Sequence, residues 1–169
     1  RWGVYSKTIG ATNYMYLNET DASAVSSALW NDTAPDSTVF TVGTSVSTND
    51  VGGQITYCFT SVEGLCKVGS YTGTGVAGNT IECGFEPAWV MVKRTDSTSD
   101  WAIVDMQRND FDSKLYANLT NVEFASTYFY STTSGFVVDS TSSTINASGG
   151  TYIYLAIAKN TPEDLRIKE

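Results

Sequence analysis

Apolar residues along this chain come in short runs separated by polar clusters. Examples are Val39-Phe40-Thr41-Val42, Ile55-Thr56-Tyr57-Cys58-Phe59, Trp89-Val90-Met91-Val92-Lys93 and Thr151-Tyr152-Ile153-Tyr154-Leu155-Ala156-Ile157. Runs of this length, rich in β-branched and aromatic residues, predict strands. Turn-forming clusters lie between them: Asn49-Asp50-Val51-Gly52-Gly53, Gly73-Thr74-Gly75 and Asp96-Ser97-Thr98-Ser99-Asp100. About a dozen strands at roughly 8–12-residue spacing predict an all-β chain, a jelly-roll-like β-sandwich of short antiparallel strands. A short helix is the alternative for Asp21 to Leu29, with Asp21 as its N-cap. Glu163 to Lys168 has room for one helical turn, too short to stand without packing.

The same pattern occurs twice. Arg1-Trp2-Gly3-Val4-Tyr5 parallels Asp100-Trp101-Ala102-Ile103-Val104, and Asn13 to Thr20 parallels Ser113 to Thr120. Ser26 to Trp30 parallels Ser126 to Tyr130, and Phe40-Thr41-Val42 parallels Phe136-Val137-Val138. Asn49-x-x-Gly52-Gly53-x-Ile55-x-Tyr57 parallels Asn146-x-x-Gly149-Gly150-x-Tyr152-x-Tyr154. The offsets are 99, 100, 100, 96 and 97, in one order, which marks an internal repeat. The chain then divides into 1–65, an incomplete first repeat with only its back half; 66–158, a complete second repeat; and 159–169, a C-terminal tail. The second copy has a front half before Trp101, and the first has no counterpart to it. A β unit without those strands leaves open sheet edges. Three arrangements answer this: residues preceding Arg1, a neighbouring subunit adding strands, or a merger of both blocks into one sandwich. Arg1 in place of an initiator Met fits a processed product or a part of something longer.

Composition narrows the chemistry. Among 169 residues there are 19 serines and 23 threonines, 10 Tyr, 7 Phe and 4 Trp, but no histidine. Without histidine, neither a Ser-His-Asp nor a Cys-His catalytic group operates within the chain, and no His-containing zinc site forms. A net charge of −8 argues against nucleic acid, whose phosphates need clustered Lys and Arg. No apolar run reaches the ~20 residues of a membrane helix. The aromatic and β-branched content argues against disorder.

Tyr71-x-Gly73-x-Gly75, Ile81-x-x-Gly84-Phe85-x-Pro87-x-Trp89-Val90-x-Val92-Lys93, Asp100-Trp101, Gly135-Phe136 and Asn146-x-x-Gly149-Gly150-x-Tyr152-x-Tyr154-Leu155-Ala156 together resemble a repeat of bacteriophage virion proteins. Trp30-Asn31-Asp32-Thr33-Ala34-Pro35 followed by Ser37 to Gly43 resembles that family's first-copy version. The resemblance spans about residues 1 to 158. It implies an all-β fold and a virion appendage, such as the tail fibres of aquatic phages in which such repeats occur in tandem. It brings no catalytic residues. Cys58 and Cys83 stand where that family usually has aliphatic residues.

Several residues are candidates for chemistry. Asp105, Asp110 and Asp112, with Gln107 and Asn109, form the densest group of oxygen ligands and make a candidate calcium loop, against a reading as a solvated acidic loop. No pair of carboxylates is singled out for glycoside hydrolysis. Sequons occur at Asn18, Asn31, Asn118 and Asn146, of which Asn18 and Asn118 hold equivalent repeat positions. Trp30, Tyr128 and Tyr130 fall on matched segments and are candidates for a sugar-stacking platform, though aromatics on strands are more often core. Cys58, Cys66 and Cys83 are odd in number; they read as buried small hydrophobes, or as one disulfide with a spare thiol. Gly73 and Gly75 lie in a polar turn and lack a phosphate-binding pattern.

The expectation is a non-enzymatic structural subunit of an extracellular assembly, a phage tail fibre or other virion appendage serving as scaffold and adhesin. Self-association through β edges, and contact with a cell-surface glycan, are the expected partnerships. The alternatives are the subunit of a microbial surface filament built by strand exchange, and a carbohydrate-binding module.

Overall fold

A computed structural model describes residues 1–108, 113–125 and 128–159. The strands in chain order are β1 (Gly3–Val4), β2 (Asn13–Tyr16), β3 (Ala24–Val25), β4 (Cys66–Thr72), β5 (Asn79–Glu82) and β6 (Pro87–Arg94). They continue with β7 (Trp101–Asp105), β8 (Ser113–Tyr116), β9 (Phe124–Ala125), β10 (Phe129–Ser131), β11 (Gly135–Val138) and β12 (Thr151–Ala158). Two single-turn helices, α1 (Ser27–Trp30) and α2 (Ser143–Asn146), interrupt them. The strands form three sheets, in the orders β4-β12-β6-β7-β8-β9, β10-β11-β5 and β1-β2-β3. Their pairings are antiparallel throughout.

The first two sheets make a β-sandwich, as the strand pattern predicts. Side chains alternate across a strand, so every second residue of β6, β7 and β12 faces inward. Those residues are Val90, Val92, Ala102, Val104, Tyr152, Tyr154 and Ala156. They meet Ile81, Phe129, Phe136 and Val138 from the facing sheet. Tyr71 and Tyr152 stack with ring centroids 4.8 Å apart, and Phe136 meets Tyr154 edge-on at 5.3 Å. Gly69 makes room for that tyrosine: a Cβ there would lie 2.6 Å from the Tyr154 ring.

The third sheet covers the outer face of the large one. Met15 of β2 is buried with Trp101 and Ile153, and Val4, Ile9, Leu17 and Met91 pack around them. On its other side the small sheet has its own cluster of Ala11, Tyr16, Leu29 and Trp30, with Tyr5 and Tyr14 alongside. The two blocks therefore keep separate sheets and stack back to back.

The repeat is visible in the backbone. Gly3 pairs with Tyr16 and Val4 with Met15; their counterparts Ala102 and Ile103 pair with Tyr116 and Leu115. Asn13 pairs with Val25 and Tyr14 with Ala24, as Ser113 does with Ala125 and Lys114 with Phe124. The Trp2 amide donates to Asn18 Oδ1 at 3.0 Å, and the Trp101 amide to Asn118 Oδ1 at 2.8 Å. Further on, Ser45 O accepts from the amides of Thr48 and Asn49, as Ser142 O does from Ile145 and Asn146. Asn49 Nδ2 donates to Gly43 O at 2.9 Å, as Asn146 Nδ2 does to Ser140 O at 2.7 Å.

Two expectations need correction. Residues 39–42 and 55–59 carry strand-type sequence but are not strands, although their counterparts belong to β11 and β12. A strand exists only with a hydrogen-bonded neighbour, and among the described residues none flanks these two runs. The helix is the single turn α1, not 21–29. Ser26, not Asp21, is its N-cap, with Oγ accepting from the Ala28 amide, and it ends at Asn31 with φ 50°. Ala24 and Val25 upstream are drawn into β3 instead. The proposed turn at Glu163 to Lys168 lies outside the described residues.

Candidate functional site

Two features set this molecule apart from a plain sandwich: the seam between the units, and the edge of the first one that is open among the described residues. At the seam, polar contacts surround the Met15 cluster. Trp101 Nε1 donates to Tyr16 O at 2.9 Å. Ser23 donates to Thr95 O through both its amide and its hydroxyl, each at 2.9 Å. The Ser99 amide donates to Thr20 O at 2.8 Å.

Lys93 lies at the centre of this network. It is fully buried, and its Nζ donates to Thr20 O at 2.9 Å and Ser99 O at 2.7 Å, one carbonyl from each unit. Burial penalises its charge and lowers its pKa to about 8, while Asp100 and Asp21 oppose the shift and Arg94 adds to it. A lysine closing the otherwise apolar run Trp89 to Val92 was the sequence signal for this role, and it was not singled out. Lys114 is also buried, with Nζ 4.2 Å from the Tyr128 ring centroid and 4.9 Å from that of Tyr116. Burial lowers its pKa to about 8 as well.

The edge is best seen through Asn146. Its Oδ1 accepts from the Thr74 amide at 2.8 Å and from Asn79 Nδ2 at 3.0 Å, and its Nδ2 donates to Val76 O at 2.8 Å. Asn49 in the first unit is exposed and keeps only the Gly43 bond among those described. Beyond it, Ile55, Tyr57 and Phe59 are 71%, 68% and 58% exposed. Tyr57 stacks on Trp2 with ring centroids 6.3 Å apart. Beside β1, the buried indole Nε1 of Trp30 has no acceptor among the described residues.

The sequence candidates are dispersed. Trp30 belongs to the first unit's core, Tyr128 lies beneath the Lys114 ammonium, and Tyr130 is exposed. The three therefore make no shared platform, because α1 turns Trp30 inward. Asn18 and Asn118 cap the backbone of the tryptophan strands. Asn31 is exposed at the end of α1. Asn146 is wholly buried with both amide protons engaged, which removes it as a glycosylation acceptor. Asp105 accepts from the Gln107 amide and pairs with Arg108 at 3.4 Å. Asp110 and Asp112, with Asn109, lie outside the described residues. Among the described residues no group of three His, Cys, Asp or Glu side chains converges on one point. Cys58 is exposed, Cys66 and Cys83 are buried, and all three are free thiols. Burial pushes the Cys66 and Cys83 thiols above their ordinary pKa.

No curated protein and no solved structure matches the chain. A family model described as a domain of unknown function, DUF7483, matches residues 1–161, a span that takes in both units and the seam. The chain belongs to that DUF7483 family.

Proposed function

We propose that this protein is a non-enzymatic structural subunit of an extracellular assembly, in the manner of a phage tail-fibre or virion appendage protein. The observation that carries the reading is the stacking of two copies of one β unit through an interlocked seam, with strand-type sequence left uncovered at one edge. Such an architecture extends by addition of units and transmits load through sheets. The motif resemblance to virion repeats points the same way. The composition agrees as well: charge is sparse and hydroxyl groups abundant, suited to many uncharged hydrogen bonds with neighbouring subunits or a cell-surface glycan. The net charge of −8 keeps particles apart.

Native mass measurement with electron microscopy of the purified protein tests the proposal. Closed oligomers of fixed number are expected, with a trimer favouring a fibre. An open polymer would move the reading to a strand-exchange surface filament. A monomer at all concentrations that binds or cleaves polysaccharide would overturn it in favour of a carbohydrate-active module.

A further inference from the structure

We propose that the first unit is completed by the front half of a further repeat unit, a three-strand segment of the β4–β5–β6 design. This rests on reading the protein as a structural repeat, and it names the partner of the open edge.

The second unit supplies the argument. There β7 pairs with β6, β12 pairs with both β6 and β4, and Asn146 binds Thr74, Val76 and Asn79 between β4 and β5. All of these partners come from one continuous stretch, residues 66–94. The first unit holds the counterpart of each receiving element: β1 for β7, residues 54–61 for β12, and Asn49 for Asn146. None of these receivers has such a partner among the described residues. Their remaining geometry already matches, because the Trp2 and Trp101 caps, the β1·β2 and β7·β8 registers and the Asn49 and Asn146 turns are the same. β1 and the Asn49 turn are therefore already in place, residues 54–61 take strand form on pairing, and one segment of known design satisfies all three.

The register follows from the repeat. In the second unit Val92 lies between Ala102 and Tyr154, and Met91 between Ile103 and Leu155. Transposed, the incoming central strand runs antiparallel to both neighbours. One of its residues lies between Gly3 and Tyr57, and the preceding residue lies between Val4 and Cys58. Residues 54–61 bear no charge and no proline, so nothing in them blocks strand pairing. Pairing would cover Ile55, Tyr57 and Phe59 and part the Trp2–Tyr57 stack.

The test appends a second copy of residues 66–99 ahead of Arg1, because the repeat aligns Arg1-Trp2 with Asp100-Trp101. Amide hydrogen exchange is then compared with the parent chain. The expected result is exchange slowed about tenfold or more across 3–4 and 54–61, unchanged exchange in β7 and β12, and a blue shift of Trp2 emission. Thr56→Pro in the appended chain should abolish the slowing, since proline gives nothing to a ladder. Unchanged exchange at 54–61 in a folded appended chain overturns the proposal. If the appended chain does not fold, the same segment is added to the parent as a separate peptide, and absence of slowing up to millimolar peptide overturns it likewise. Slowed exchange at 54–61 on self-association of the parent alone also overturns it, in favour of a second copy. The readout is separate from the assembly test: a fixed oligomer with 54–61 still open fails this proposal alone, whereas a monomer that accepts the segment fails only the assembly reading.

Discussion

The two units carry matching sequences over their back halves, yet one is a closed sandwich and the other a small sheet followed by an uncovered loop. The contrast separates what a strand needs from what its sequence prefers. β12 and residues 54–61 are both rich in β-branched and aromatic residues. β12 becomes a strand because β4 and β6 flank it, with seven paired positions on each side. Residues 54–61 have no such flanks among the described residues and are irregular. Strand propensity measures fit to a neighbouring surface, and it does little where that surface is missing.

This difference can be broken at several points. The largest effect is expected at Asn146 against Asn49. Asn146→Ala leaves the Thr74 amide and the carbonyls of Val76 and Ser140 without their partner, at about 1–3 kcal/mol for each group that stays buried. Asn49→Ala should fall within about 0.5 kcal/mol, as an exposed substitution does. Urea denaturation of the two variants measures both, and equal losses would contradict the account of the edge.

Phe136→Ala, at a fully buried position of the closed unit, should cost about 3–5 kcal/mol. Phe40→Ala, its exposed counterpart, should cost under about 1 kcal/mol. The same denaturation series reads this pair.

A smaller effect is expected from pH, and it reports on the seam. The folded pKa of Lys93 is about 8 and the free side chain titrates near 10.5. Between these values the unfolded chain binds more protons than the folded one, so this lysine makes stability rise with pH across that window. Its share cannot exceed about 1.4 kcal/mol per pH unit. Lys93→Met should remove it, seen as a flatter profile from pH 8 to 10. Above pH 10 the opposite sign takes over, because burial holds the Tyr154 phenol protonated up to about 12. An unchanged slope in Lys93→Met would remove Lys93 as its source.

The smallest effect belongs to Tyr57→Ser. It should leave stability within about 0.5 kcal/mol while changing Trp2 emission, because the two rings stack on each other at the surface. A clear loss of stability would show that the edge is already packed.

Much of the fold was legible from the sequence. β6 and β12 were readable as apolar runs, and the sandwich followed from the number and spacing of strands. The repeat was readable too, and its matched segments pair in matching registers, Gly3 with Tyr16 and Ala102 with Tyr116. Residues 39–42 and 55–59 misled, because a local pattern cannot report whether a partner strand exists. Trp30 misled for a related reason: its counterpart Tyr130 is on a strand, but Trp30 lies in a helical turn that faces inward. The apolar run before Lys93 marks its burial, but its partners stay hidden, because they are two backbone carbonyls, Thr20 O and Ser99 O, and no side-chain motif marks a carbonyl.

The position of β12 bears on how the protein is made. It is the last described strand in the chain, yet it lies inside the large sheet, between β4 and β6. Its pairing of Thr72 with Thr151 spans most of the second unit. Contacts so distant in sequence form slowly, since the closure of a long loop comes first. During synthesis, β4 and β6 must wait with bare edges until Ala158 has left the ribosome. In a tandem array every unit would pass through that same exposed interval, its strands shielded only when its own final strand arrives.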